Sequence, residues 1–124
     1  VGYGFLYKQS SNNMTPLELA NRYMEVFYGE EPIESLGGIF SEEFSFKGPF
    51  HEFNTSAEYI ESLKLDPPAG LEYKIIEAYE NEKSACLLYQ FSKPGMSTMM
   101  SQMFEASNGK ISKIILVFDT GAFT

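Results

Sequence analysis

Asn108-Gly109 stands between two strand-like runs, STMMSQMFEAS before it and KISKIILVFD after it. This dipeptide suits both left-handed positions of a tight hairpin turn, so it fixes two antiparallel neighbours. The second run carries IILVF from Ile114 to Phe118, a stretch apolar at every position. Such a strand is expected to be covered on both faces, with something packed on each side of its sheet. Two further strand runs lead up to it. Leu71 to Tyr79 is one run and Glu80-Asn81-Glu82-Lys83 a polar turn; Ser84 to Phe91 is the next run and Lys93-Pro94-Gly95 the next turn. The last fifty or so residues therefore predict an antiparallel meander.

The chain before the meander reads as helix, helix, short strand pair, helix. Thr15-Pro16-Leu17-Glu18 is a capping box with proline at the first helical position. Leu17, Ala20, Met24 and Phe27 follow at helical spacing, Leu19, Tyr23 and Val26 widen the stripe, and Gly29 ends it. Pro32 opens a shorter helix with Ile33 and Leu36 inward, weakened at Gly37-Gly38, and Ile39-Phe40 packs down at its end. Phe44-Ser45-Phe46 alternates as a strand, Gly48-Pro49 turns, and Phe50 to Phe53 returns. Thr55-Ser56-Ala57-Glu58 is a second capping box, the helix it starts turns Tyr59, Ile60 and Leu63 inward, and Asp66-Pro67-Pro68 stops it. Helices gathered ahead of a meander indicate an α+β domain with helices on one face of a curved sheet.

At 124 residues this is one domain with one core. The net charge of −8, with Arg22 the only arginine, leaves no basic stripe for nucleic acid and no bidentate clamp for phosphate. No apolar run approaches the roughly 20 residues that span a bilayer. One cysteine excludes an internal disulfide, and Cys86, inside ACLL, reads as a small core residue. One histidine with one cysteine does not make a metal centre, and no cofactor motif is present. Residues 1–14 read as an N-terminal extension or an expression remnant, with Met14 a natural start, and 15–124 as the domain. The composition fits a cytoplasmic protein.

The words ELANRYMEVFYGEEPIESLGGIFSEEFSFKGPFHEF, TSAEYIESL and FEASNGKISKIILVFD, over about residues 15–120, resemble the nuclear transport factor 2-like superfamily. Within it they are most similar to the SnoaL-like and ketosteroid-isomerase-like branch. The resemblance implies a cone: a strongly bent, mainly antiparallel sheet with three helices packed over an apolar cavity. It also implies site residues. Tyr23 of the NRY triplet falls where steroid isomerases keep their oxyanion-hole tyrosine, and Gln102 where they keep a second donor. The general base of those isomerases precedes the proline that is Pro49 here; this chain has Gly48, which abstracts no proton. Steroid isomerisation is therefore not expected. The Asp-Arg-Asp set of the related epoxide hydrolases has no counterpart, since Asp66 and Asp119 are the only aspartates. The late acid–base aspartate of the SnoaL-like cyclases is matched only by Asp119.

Each candidate has a plain structural reading beside the chemical one. Tyr23 is either an oxyanion donor or a core tyrosine, and Gln102 either meets a ligand or joins a buried network. His51, the only histidine, is an acid–base candidate or a solvated turn residue. Asp119 is an acid–base candidate or ends its strand by binding backbone amides. With Gln102 inward, alternation also turns Thr98, Met100 and Phe104 inward. The resemblance turns Ile114, Leu116 and Phe118 the same way, and Phe27 and Tyr59 reach the cavity from the helices. That lining suits a small hydrophobic molecule bearing a carbonyl or hydroxyl. An enzyme (isomerase, cyclase or dehydratase), a binding domain without chemistry, and an assembly domain with a filled cone are the three readings. Met99, Met103, Ile115 and Val117 then face outward, an apolar patch that predicts a homodimer.

Overall fold

The structure, a computed structural model, describes residues 14–124, so the expected N-terminal extension lies outside the described residues save for Met14. Two α-helices, α1 (Pro16–Phe27) and α2 (Ser56–Leu65), and a 3-10 helix (Ile33–Gly38) supply the three helices. Six strands follow the chain as β1 (Phe40–Lys47), β2 (Glu52–Phe53), β3 (Glu72–Glu80), β4 (Ser84–Lys93), β5 (Met96–Ser107) and β6 (Lys110–Phe118). A short 3-10 turn, Thr120–Phe123, comes last and has no counterpart in the sequence reading.

Local chemistry sets the helix ends. Thr15 accepts from the Glu18 amide at 3.1 Å and the Glu18 carboxylate accepts from the Thr15 amide at 2.8 Å, the reciprocal box expected. Gly29, at φ +98, takes the left-handed turn that α1 needs to stop. At α2 the box is only half formed: Thr55 accepts from the Glu58 amide, but the Glu58 carboxylate turns back to the Asn54 amide. The buried face of α1, Leu19, Ala20, Tyr23, Met24 and Val26, lies against the sheet. Sealing a side chain such as Leu19 from water contributes about 1.5–3 kcal/mol.

The sheet order is β2-β1-β6-β5-β4-β3, antiparallel throughout except where β1 runs parallel to β6. It is strongly curled without closing into a barrel. Asn108 at φ 54 and Gly109 at φ 76 form the β5–β6 hairpin turn. Some expectations are corrected here. Phe40 opens β1 instead of closing a helix, because it pairs with Ile111 across the sheet. The return strand is only Glu52–Phe53, since Gly48 donates to the His51 carbonyl and the turn consumes Phe50. Within this chain only the inner face of β6 is covered: Ile111 and Ile114 are buried inward, while Val117 on the outer face is 59% exposed. Cys86, expected in the core, also lies half-buried on that outer face, where alternation puts it opposite Ala85 and Leu87, beside the Ser101 hydroxyl.

Candidate functional site

The curl of the sheet and the two α-helices leave a cavity of about 560 Å³. Aromatic side chains make most of its wall, with Met100, Leu71 and Leu116 between them. A smaller space of about 90 Å³ adjoins it through shared walls at Phe27, Phe46, Tyr59 and Leu116, and adds Tyr23, Tyr28, Tyr89 and Gln102. The cone is therefore not packed solid. A wider groove of about 670 Å³ lies elsewhere, beside the hairpin tip, but its polar rim of Ser41, Glu42, Glu43 and Lys83 offers no convergent chemistry.

The inner end is polar, and its Tyr23, Tyr59 and Tyr89 hydroxyls are hydrogen-bonded. The Tyr23 and Tyr59 hydroxyls are 2.6 Å apart, and the Tyr89 hydroxyl donates to Gln102 Oε1 at 2.7 Å. Phe104 stands edge-on to the Tyr23 ring and Phe46 stacks on Tyr59, which holds both hydroxyls in place. Burial pushes the Tyr23 and Tyr59 phenols well above their ordinary range, as it does Tyr89. The Gln102 amide, reaching toward the Tyr23 oxygen, partly offsets that rise. These phenols stay neutral at pH 7, so they act as hydrogen-bond donors and acceptors and not as bases. Only one proton of the Tyr23–Tyr59 pair is used between them, so a ligand oxygen has a donor to meet.

Several sequence candidates converge here. Tyr23, Gln102, Phe27, Tyr59, Met100 and Leu116 line the smaller space, and Phe118 and His51 line the larger one. His51 is exposed, its ring 6.1 Å from that of Phe53. Asp119 is elsewhere: it is exposed and its Oδ1 accepts from the Gly121 amide at 2.9 Å, so it caps the last turn. Thr98, Phe104 and Ile114 face inward on their strands yet line neither space. Phe104 and Ile114 are fully buried as packing beneath the inner end. At Gly48 an added Cβ would stand 3.1 Å from the Phe46 ring, so a side chain there requires that ring to move.

Other wall residues were not singled out from the sequence. Phe46 shares the face of Phe44, and Phe91 that of Leu87 and Tyr89, so strand alternation carried a signal for both. Phe123 reaches the cavity from the last turn, and Ser62 and Asp66 from the end of α2; no periodicity marks them. Among the described residues no three His, Cys, Asp or Glu side chains gather as a metal site. No helix among them is long and apolar enough to cross a membrane.

No protein-family model matches the chain, and neither does any curated protein. Solved structures do. A nuclear transport factor 2-like protein of unknown function from Cytophaga hutchinsonii superposes with a TM-score of 0.75 at 19% identity, over 90% of this chain and 96% of that one. A candidate ketosteroid isomerase from Kribbella flavida gives 0.72 at 14% identity, over 82% and 76%. A candidate isomerase of the SnoaL-like family from Agrobacterium tumefaciens gives 0.67 at 15% identity, over 84% and 97%. The fold is nuclear transport factor 2-like, as the sequence resemblance implied. At these identities the likeness is one of fold, and the chemistry must come from this chain's own residues.

Proposed function

We propose that this chain, built on a nuclear transport factor 2-like fold, binds a small, mostly apolar molecule bearing a carbonyl or hydroxyl, and does so without chemistry. The observation that carries the reading is the pairing of an aromatic-walled cavity with a neutral, hydrogen-bonded inner end at Tyr23, Tyr59, Tyr89 and Gln102. The wall favours an apolar body and the inner end orients one oxygen. Glycine at position 48 and the use of Asp119 as the cap of the last turn, outside the cavity lining, favour binding over catalysis. The test uses Nile red, a neutral apolar fluorophore. Wild-type protein is expected to bind it at one site. Leu116→Trp, which fills the shared wall, is expected to weaken it about tenfold or more, the order of one lost apolar side-chain contact. Unchanged binding in a folded Leu116→Trp variant would remove the cavity from the account.

The enzyme reading has one observation of its own: His51 lines the cavity. An isomerase, cyclase or dehydratase using it would return a co-purified ligand altered in mass or isomer, and His51→Ala would stop the change. Ligand recovered unchanged supports binding alone.

The second part of the proposal is a homodimer through the outer sheet face. Met99, Val117 and Tyr79 are exposed there, and Met103 and Ile115 are half-buried between them. Apolar area of that extent is what a covered face requires. In sedimentation at micromolar concentration the wild type is expected to run as a dimer and Met103→Glu as a monomer. A monomeric wild type, or a variant of unchanged size, contradicts it. The reading places the protein in the cytoplasm, where a chain with a single cysteine has no disulfide to lose.

A further inference from the structure

The cavity wall has a charge character that the overall apolar description conceals. Eight of its side chains are Phe or Tyr, and it includes neither lysine nor arginine. Asp66 is the only carboxylate in it, and His51 its only imidazole. Asp66 follows the last turn of α2, where its amide donates to the Ser62 carbonyl and Ser62 itself lines the cavity. The carbonyl end of that helix, with its partial negative charge, is thus turned toward the same region. Lys64 in that turn is engaged elsewhere, 3.9 Å from Glu34. One ring of the wall already carries an ammonium: Lys93 Nζ stands 5.2 Å from the centre of Phe123.

These features discriminate between ligand charges. An anion entering this wall would lose its hydration and find no lysine or arginine among the lining side chains, the Lys93 ammonium being held on the Phe123 ring. A cation meets the negative faces of several rings and one carboxylate. The chain's net charge of −8 raises the local concentration of cations before contact. We infer that the cavity selects, among apolar molecules bearing a carbonyl or hydroxyl, those that also carry an amine, with the apolar body against the phenylalanine wall, the oxygen at the inner end and the protonated nitrogen at Asp66. The inference rests on the proposal that this cavity is a binding site, and it names the class of molecule that site takes.

Three naphthalene probes of matched size separate the two claims: 2-(2-naphthyl)ethylamine, 2-(2-naphthyl)ethanol and 2-naphthylacetate. Each is titrated calorimetrically into the full chain at pH 7 and fixed ionic strength. The amine is expected to bind about tenfold more tightly than the alcohol, and the carboxylate most weakly. Asp66→Asn is expected to bring the affinity for the amine close to that for the alcohol. Amine and alcohol binding equally would overturn the amine inference and leave the cavity standing. So would an amine preference that survives Asp66→Asn. Failure of all three probes with a folded protein would overturn the cavity reading itself.

Discussion

Raising the pH above 10 is expected to unfold this protein cooperatively, from about pH 11 upward. The cause is the buried phenols at the inner end of the cavity. Tyr23, Tyr59 and Tyr89 are almost inaccessible, and burial raises all three well above the ordinary value of 10. In the unfolded chain they ionise near pH 10; in the folded chain they keep their protons. Above pH 10 the unfolded state therefore binds fewer protons, and the free energy of unfolding falls as pH rises. The contribution is fully present below pH 10 and is lost progressively as pH climbs toward the folded-state values. Each phenol removes about 1.4 kcal/mol per pH unit, so the three remove about 4. A domain holds about 5–15 kcal/mol in total, so the slope exhausts it within a few pH units. The late rise in tyrosinate absorbance that reports the three buried phenols is expected to coincide with the loss of far-ultraviolet circular dichroism. Ionisation of all the tyrosines near pH 10 with the dichroism intact would contradict the buried network.

Phe104→Ala is the second large effect. The sequence reading put Phe104 against a ligand, but its ring is fully buried beneath Tyr23, 5.3 Å away and edge-on, and lines no cavity. Truncating such a ring costs about 3–5 kcal/mol, through lost burial and the void left behind. At roughly 3–6 °C per kcal/mol in a domain of this size, the melting temperature is expected to fall by about 10–25 °C. Phe50→Ala is the control, since Phe50 is 54% exposed at the cavity mouth; it is expected to cost less than about 1 kcal/mol. Urea unfolding of both variants checks the pair. A stable Phe104→Ala protein that had lost only ligand affinity would return Phe104 to the binding surface.

The contrast between Phe104 and Phe123 shows what a sequence of this kind exposes. Features fixed within a few residues were legible: the caps at Thr15 and Thr55, the stop at Asp66-Pro67, the hairpin at Asn108-Gly109. So was the inward face of β5, because alternation needs only a parity, and Met100, Gln102 and Phe104 are all buried. Parity does not say how far along a bent strand the open space begins. Met100 and Gln102 line it and Phe104, next on the same face, does not. Phe123 was illegible for a different reason. It reaches the wall from a turn set by the Asp119 side chain on the Gly121 amide, and it packs against Phe50 and Phe118. Those contacts join distant parts of the chain. Phe40 was misplaced likewise, because its strand partner Ile111 lies in the last hairpin.

That partnership has a consequence for how the chain is made. β1 lies between β2 and β6, and β6 is the last strand to leave the ribosome. Until then α1, α2 and β1 are all synthesised but β1 has a bare edge, with Phe40, Phe44 and Phe46 lacking the neighbours that bury them. Closing so long a loop is entropically slow, and exposed strand edges invite wrong partners. The nascent chain therefore carries an unpaired β1 edge until Ile111 to Ile115 are made, and a chain cut short before the last described hairpin would leave that edge open.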